Sequence, residues 1–162
     1  MHIDQYEGLF IRLAAVMMGV FAAAVVIAVF GLGIQLPGAV EQIDPRAVDS
    51  APGFSEPGLR EIYPGRYEAH VVVQTWQFTP NQITVPRGSE VTFFLTSKDI
   101  IHGFKIMDTN VNIMVIPGQV SEVTHTFNES GTYQFYCHEY CGALHHAMSG
   151  LVQVTDTEVA GE

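Results

Sequence analysis

The chain has 162 residues, and its 17 acidic side chains outnumber its 7 basic side chains, giving a formal net charge of −10. This charge argues against a nucleic-acid partner, because phosphate binding requires a basic face. Apolar residues make up 48% of the chain, but many of them lie in one N-terminal run, which argues against a single soluble globule.

The first predicted element is a transmembrane helix over residues 13–35, preceded by a short N-terminus over residues 1–12. Residues Leu13 to Ile34 carry no charge. As a helix they would span about 33 Å, close to the thickness of the bilayer hydrocarbon core. The segment lacks the basic start and small-x-small cleavage site of a secretory signal peptide. We therefore expect an uncleaved anchor, with a cleaved leader as the alternative.

The charges that flank this helix predict its orientation. Arg12 directly precedes the apolar run, whereas Glu41 and Asp44 follow it before the next basic residue, Arg46. Because basic flanks favour the cytoplasmic side, the N-terminus is expected in the cytoplasm. The C-terminal part is then expected on the outer face of the cell membrane, periplasmic or extracellular, in a single-pass protein.

The rest of the chain is predicted to be a linker, one β domain and a short tail. Residues 36–66 are assigned to the linker because prolines and glycines interrupt any period in them. Residues 67–156 alternate between short β-branched or aromatic segments and turn signals, which is typical of a β-sandwich or barrel. Residues 157–162 form the tail. The predicted strand segments are His70–Phe78, Ile83–Val85, Val91–Leu95, Gly103–Met107, Val111–Val115, Glu122–Phe127, Thr132–Tyr136 and Leu151–Val154.

A cluster of metal-binding residue types lies between Cys137 and Met148, in the pattern Cys-x3-Cys-x3-His-x2-Met. Structural zinc sites favour Cys-x2-Cys pairs and contain no thioether. Thiolate, imidazole and thioether together favour copper. A blue-copper site uses one cysteine, so the second thiolate is available to bridge two copper ions. The loop supplies His145, and His102 is the best candidate for the second imidazole.

These residues are accompanied by three further motifs, and the set resembles subunit II of heme-copper cytochrome c oxidases over residues 72–154. The motifs are Asp99-Ile100-Ile101-His102-Gly103-Phe104, Val115-Ile116-Pro117-Gly118 and Gly131-x-Tyr133. A short chain with one membrane segment resembles the B-type form of this subunit. The resemblance implies an all-β fold, a cupredoxin-like Greek-key sandwich preceded by one transmembrane helix, which carries the binuclear copper centre CuA.

The resemblance also assigns roles to individual residues. The implied metal ligands are His102, Cys137, Glu139, Cys141, His145 and Met148. Among them the two cysteines bridge two copper ions, each histidine binds one copper, and Met148 and the Glu139 backbone carbonyl are weak axial ligands. The Glu139 side chain is implied to help bind magnesium or manganese at the interface with subunit I, although B-type relatives often have glutamine here. His138 and His146 match no family ligand and are expected to support the site or lie at the surface.

The function implied by the resemblance is electron transfer in a terminal oxidase. The chain would accept electrons from cytochrome c or a small blue copper protein and pass them to heme in subunit I, where oxygen is reduced. Trp76 matches the aromatic position at which electrons enter. No catalytic residue is expected, because a saturated ligand set leaves no open position for a substrate. The alternatives are the CuA subunit of a nitric oxide reductase and a copper-delivery protein. A copper-free structural subunit is disfavoured because all six ligand positions are filled.

Overall fold

The computed structural model describes residues 4–32 and 38–158. It divides the chain into two compact units, residues 1–35 and residues 36–162. The first unit is helical and the second consists mainly of β-strands.

The N-terminal unit is one long apolar helix. Helix α1 spans Gln5–Val26 and continues into a π-helical turn at Ile27–Gly31. Together they form a helical segment of 27 residues. Its most apolar window of 18 residues has a mean hydropathy of 2.7, and no residue of that window is buried against the described part of the chain. The helix begins eight residues before the predicted start because the Asp4 side chain accepts a hydrogen bond from the Tyr6 N–H at 2.9 Å and caps it. Residues 33–35 of the predicted span lie outside the described residues.

The second unit contains two β-sheets. One sheet has the order β1-β9-β6-β3-β2, with β4 paired to β3, and the other has the order β5-β11-β10-β7-β8. This arrangement confirms the predicted all-β, cupredoxin-like sandwich, and every predicted strand segment overlaps an observed strand, although His70–Phe78 is divided between β3 and β4. The strand bounds are β1 Gly38–Gln42, β2 Gly58–Tyr63, β3 Arg66–Gln74, β4 Gln77–Thr79, β5 Gln82–Arg87, β6 Glu90–Ser97, β7 His102–Ile106, β8 Asn112–Val115, β9 Gln119–Thr126, β10 Gly131–Tyr136 and β11 Ser149–Glu158.

The linker predicted over residues 36–66 is wrong for most of its length. Strand β1 pairs with β9 and strand β2 pairs with β3, so both belong to the first sheet. Between them, Val48 and Phe54 are buried against Val72 and Val120 in a second, smaller core. These strands are short and separated by prolines, so no period is visible in the sequence. The partner of β1 lies far along the chain, whereas β2 forms a hairpin with the adjacent β3. The predicted tail is also too long, since β11 extends to Glu158 and residues 159–162 lie outside the described residues.

Alternating side chains fill the main core between the two sheets. In β6, Val91, Phe93 and Leu95 are fully buried, and the half-buried Thr92 and Phe94 alternate with them on the other face. Aromatic side chains from β4, β7 and β10 pack around this strand and against one another. The same core includes Cys137, Cys141 and Met148. These three side chains anchor the ligand loop in the hydrophobic interior, which restricts its movement.

Candidate metal centre

The order of strands in the second sheet brings the predicted ligands together. His102 is the first residue of β7, and β7 pairs with β10. The loop from Cys137 to Met148 begins directly after β10 and ends directly before β11, which are neighbouring antiparallel strands. The Cys137 N–H donates to the Met148 carbonyl at 3.1 Å and closes the loop at its base.

The two cysteines lie side by side as thiols. Their sulfur atoms are 3.8 Å apart, far beyond the ~2.05 Å of a disulfide bond, and both residues are free cysteines. Both side chains are buried. A pair of thiolates at this separation is able to bind the same metal ions.

Each thiol contacts a different imidazole. The Sγ of Cys137 lies 3.8 Å from Nδ1 of His102, and the Sγ of Cys141 lies 3.4 Å from Nδ1 of His145. His102 is fully buried, whereas His145 is partly exposed. Each imidazole thus directs its Nδ1 atom toward one of the two sulfur atoms.

Two weaker donors complete the cluster. The backbone carbonyl of Glu139 lies 3.2 Å from Sγ of Cys137, and the Sδ of Met148 lies 3.6 Å from Sγ of Cys141. Met148 is buried, so its thioether faces the other donors rather than solvent. The side chain of Glu139 is exposed. All six sequence-predicted ligand positions therefore contact the cluster through the atoms that a metal would use.

Asp99 fixes the orientation of His102, and sequence analysis assigned it no separate role. Its Oδ1 accepts a hydrogen bond from His102 Nε2 at 2.9 Å, and its Oδ2 accepts bonds from the Thr75 N–H at 2.7 Å and the Thr75 hydroxyl at 2.8 Å. Burial alone would raise the pKa of this carboxyl, but the hydrogen bonds from Thr75, His102 and Ile100 hold the pKa well below its usual range. An ionised carboxylate at Nε2 leaves the lone pair of His102 on Nδ1, facing the thiols.

The environment of Cys141 disfavours the thiolate form of its side chain. Burial, followed by the neighbouring Cys137 and Asp99, raises the pKa of the Cys141 thiol to about 11. A metal ion that binds here must displace this proton, so metal binding releases protons.

The donor set fits copper. The donor atoms of His102, Cys137 and Cys141 all lie within 4.8 Å of one another, and His145, Met148 and the Glu139 carbonyl surround them. Thiolate and thioether sulfur with imidazole nitrogen are ligands that copper prefers. Zinc favours four strong ligands in a closed tetrahedron, which leaves a buried thioether without a role.

Trp76 lies against the ligand loop from a different part of the chain. It occupies a turn between β3 and β4, rather than the single long strand predicted over residues 70–78. Its Nε1–H donates to the Cys141 carbonyl at 3.0 Å. A Cβ atom on Gly142 would lie 3.2 Å from the same nitrogen, and the φ of Gly142 is +113°. The indole is 39% exposed, so it connects solvent with the backbone of a predicted ligand.

Among the residues that the structure describes, the other histidines supply no donor atom to the cluster. His70 stacks on Phe94 in the first sheet, and His125 packs against Phe127. His138 donates from Nε2 toward the Ile113 carbonyl at 3.2 Å. Asp99 lies three residues before His102 in the sequence, so its proximity to the ligand was visible there. Its other partner, Thr75, is 24 residues away and could not be identified from spacing.

The chain is similar to proteins of one family. Residues 64–155 match the family model described as the periplasmic domain of cytochrome c oxidase subunit II. Over 155 residues, the chain is 35% identical to cytochrome c oxidase subunit 2 of Thermus thermophilus, covering 93% of this chain and 92% of that protein. Among solved structures, it is similar to a chain in a cryo-EM structure of a heme-copper terminal oxidase dimer, with a TM-score of 0.77 and 35% identity over 93% of this chain and 100% of that chain. The periplasmic domain of cytochrome oxidase subunit II from Bradyrhizobium japonicum has a similar fold, with a TM-score of 0.51 and 21% identity over 55% of this chain and 83% of that one.

Proposed function

This chain belongs to the family of cytochrome c oxidase subunit II, and we propose that it is the subunit through which electrons enter its oxidase, at a binuclear CuA centre. The heme-copper oxidase complex of this family is an oxidoreductase, and membership implies subunit I as a partner. Copper is the metal that the family supports. The two-copper centre and its ligands are the proposal.

The observation that carries the proposal is the paired arrangement of the donors. Two thiols lie 3.8 Å apart, and each of them contacts its own imidazole nitrogen. A single copper needs one cysteine in a blue-copper site, so this arrangement supplies twice the number of thiolates that one such copper requires. The proposed ligands are His102, Cys137, the Glu139 carbonyl, Cys141, His145 and Met148.

When bound, such a centre would take up and release one electron at a time, shared across the bridging thiolates. The protein's contribution is to keep the donors in place during that exchange. The sulfur atoms and Met148 are packed in the hydrophobic core, and the His102 ring is fixed by the Asp99 carboxylate. Donors that barely move on a change of charge lower the reorganisation energy of electron transfer.

Trp76 is the proposed point at which electrons enter. Its exposed indole donates directly to the carbonyl of Cys141, so one hydrogen bond connects the surface to a proposed ligand. Tyr140 and Leu144 on the ligand loop and Ile100 and Ile101 before His102 are also exposed. Exposed apolar side chains around the loop suit a transient protein partner, and cytochrome c or a small blue copper protein is the proposed donor.

The proposed topology is a single-pass protein of the cell membrane with its β unit outside. The apolar helix is long enough to cross a membrane, and Arg12 before the apolar run favours a cytoplasmic N-terminus. The family model that matches the β unit is named for a periplasmic domain. The β domain in this proposal begins close to residue 38 rather than at residue 67. A further proposal, taken from the family resemblance, is that the exposed Glu139 carboxylate helps to bind magnesium or manganese at the subunit I interface.

Burial of the ligands weighs against a copper-delivery protein. His102 is 0% exposed, Cys137 4%, Cys141 3% and Met148 1%. A protein that hands copper to a partner needs donors that the partner can reach, whereas four of the six donors here are enclosed. A nitric oxide reductase would use the same centre. Measuring whether the assembled complex consumes oxygen or nitric oxide distinguishes the two enzymes.

A cysteine substitution tests the two-copper proposal. The full chain in detergent, loaded with copper, is expected to bind two coppers and to be purple. Cys141→Ser removes one bridging thiolate, so the variant is expected to lose the purple spectrum and to retain at most one copper. Ser149→Ala, at the exposed first residue of β11 directly after the loop, is the matched control. A Cys141→Ser variant that keeps two coppers and the purple spectrum would contradict the proposal.

A further inference from the structure

The histidine that follows the first cysteine bridges two strands beside the proposed copper centre. The Nε2–H of His138 donates to the backbone carbonyl of Ile113 at 3.2 Å. Ile113 lies on β8 opposite Phe104 of β7. The imidazole therefore reaches from the ligand loop across β7 to β8, although β10 itself pairs with β7 only at Phe135 and Tyr136.

The ring of His138 lies directly on the backbone of Gly103. A Cβ atom built on Gly103 would lie 2.5 Å from Cε1 and Nδ1 of His138 and 2.6 Å from its Cγ. Contacts this short do not occur for a real Cβ, so the ring occupies the space that any other residue at position 103 would need. Gly103 directly follows the proposed ligand His102.

Gly103 in turn contacts the sulfur of the first cysteine. Its N–H points to Sγ of Cys137 at 3.5 Å, and the adjacent His102 lies 3.8 Å from the same sulfur through Nδ1. The ring of His138 thus covers the peptide that supplies both a backbone donor and an imidazole to Cys137. Because His138 directly follows Cys137 and its ring packs on Gly103, it links the loop that carries the sulfur to the strand that carries the imidazole and the N–H.

We propose that His138 is a positioning residue that holds Cys137 Sγ against His102 and the Gly103 N–H, and thereby sets the reduction potential of the copper centre. The inference rests on the proposed function. Hydrogen bonds to a cysteine sulfur and the orientation of neighbouring ligands tune the potential of a copper–thiolate site. Weakening the N–H contact makes the sulfur a stronger donor to oxidised copper, so the potential falls.

The test compares variants of the full chain in detergent after copper loading. His138→Ala is expected to lower the midpoint potential and to change the visible and EPR spectra, because Cys137 loses its support. His138→Gln is expected to recover part of the loss, since its amide is able to donate to the Ile113 carbonyl. The control is His146→Ala, at an exposed histidine on the same loop.

A second substitution tests the contact with Gly103 separately. Gly103→Ala is expected to displace the His138 ring and to shift the potential in the same direction as His138→Ala. In the His138→Ala background it is expected to add little, because the three atoms nearest to the new methyl group all belong to His138. Additive shifts from the two substitutions would contradict the inference.

The failure of this inference is distinct from failure of the proposed function. A wild-type chain that binds one copper refutes the proposed function before any variant is compared. The positioning role is overturned if the wild type binds two coppers and the His138→Ala variant has the same copper content, reduction potential and spectra as the control variant His146→Ala. Failure of glutamine to recover any part of a loss overturns it as well. Loss of copper in His138→Ala with recovery in His138→Gln supports it.

Discussion

Replacement of Asp99 by asparagine tests whether the site depends on a fixed imidazole. The carboxylate accepts from the Thr75 N–H and hydroxyl through Oδ2. Through Oδ1 it accepts from Ile100 N–H at 2.7 Å, from Ser97 at 3.1 Å and from His102 at 2.9 Å. Asparagine has nearly the same shape, but one of its two polar groups is an NH2 that cannot accept.

The geometry gives the size of the effect. With the NH2 group in place of Oδ2, the Thr75 N–H loses its acceptor, whereas the Thr75 hydroxyl is able to turn and accept from the NH2. At least one hydrogen bond to a charged group is therefore lost; such a bond contributes about 1.5–3 kcal/mol, and the 30% exposure of the Asp99 side chain favours the lower end. The free energy of unfolding is therefore expected to fall by about 2 kcal/mol. Loss of a partner that orients a metal-binding histidine lowers metal affinity by about 10–100-fold.

The assay is competition for Cu(I) between the full chain in detergent and a chromophoric chelator. Asp99→Asn is expected to bind copper about 10–100-fold more weakly than the wild type, the range typical for such a partner. Asp156→Asn, an exposed carboxylate on β11, serves as the matched control and is expected to leave the affinity unchanged. Equal affinities for Asp99→Asn and the wild type would show that the carboxylate does not orient His102 for metal binding.

Two further predictions concern single side chains. Trp76 is the only tryptophan in the sequence, and it donates to the Cys141 carbonyl. Loading with Cu(II) is therefore expected to quench most of the tryptophan fluorescence, whereas loading with zinc is not. Emission that copper leaves unchanged would argue against copper binding in this loop. Burial, followed by the Arg60 charge, lowers the pKa of His70 in the folded state, so the unfolded state binds more protons below about pH 6.5. The free energy of unfolding is therefore expected to fall as the pH is lowered from about 7.5 to about 5.5, and to fall less in the His70→Gln variant. Denaturant titration at both pH values measures this difference. An equal fall in the variant and the wild type would exclude His70 as a cause.

The ligand set was predictable because it is mostly local. Five of the six proposed ligand positions fall between Cys137 and Met148, and the sixth, His102, precedes a β segment with a glycine after it. Fixed spacing of sulfur and imidazole is visible in a sequence without knowledge of the fold. The pairing of β7 with β10 then explains why His102 meets the loop.

Most of the parts that the sequence did not reveal depend on distant partners. Strand β1 is short and is stabilised by pairing with the distant β9 and by the small core around Phe54, whereas the short strand β2 forms a hairpin with the adjacent β3. The contacts of His138 with Gly103 and Ile113 join residues 35 and 25 positions apart, and nothing in their spacing indicates them. The start of α1 depends on the Asp4 cap rather than on the apolar run.

The most direct test of the central claim is the EPR spectrum of the copper-loaded full chain in detergent, together with its copper content. A centre in which Cys137 and Cys141 bridge two coppers is expected to give a seven-line mixed-valence signal and two coppers per chain. A four-line signal, or one copper per chain, would contradict the binuclear centre and the route for electrons that depends on it.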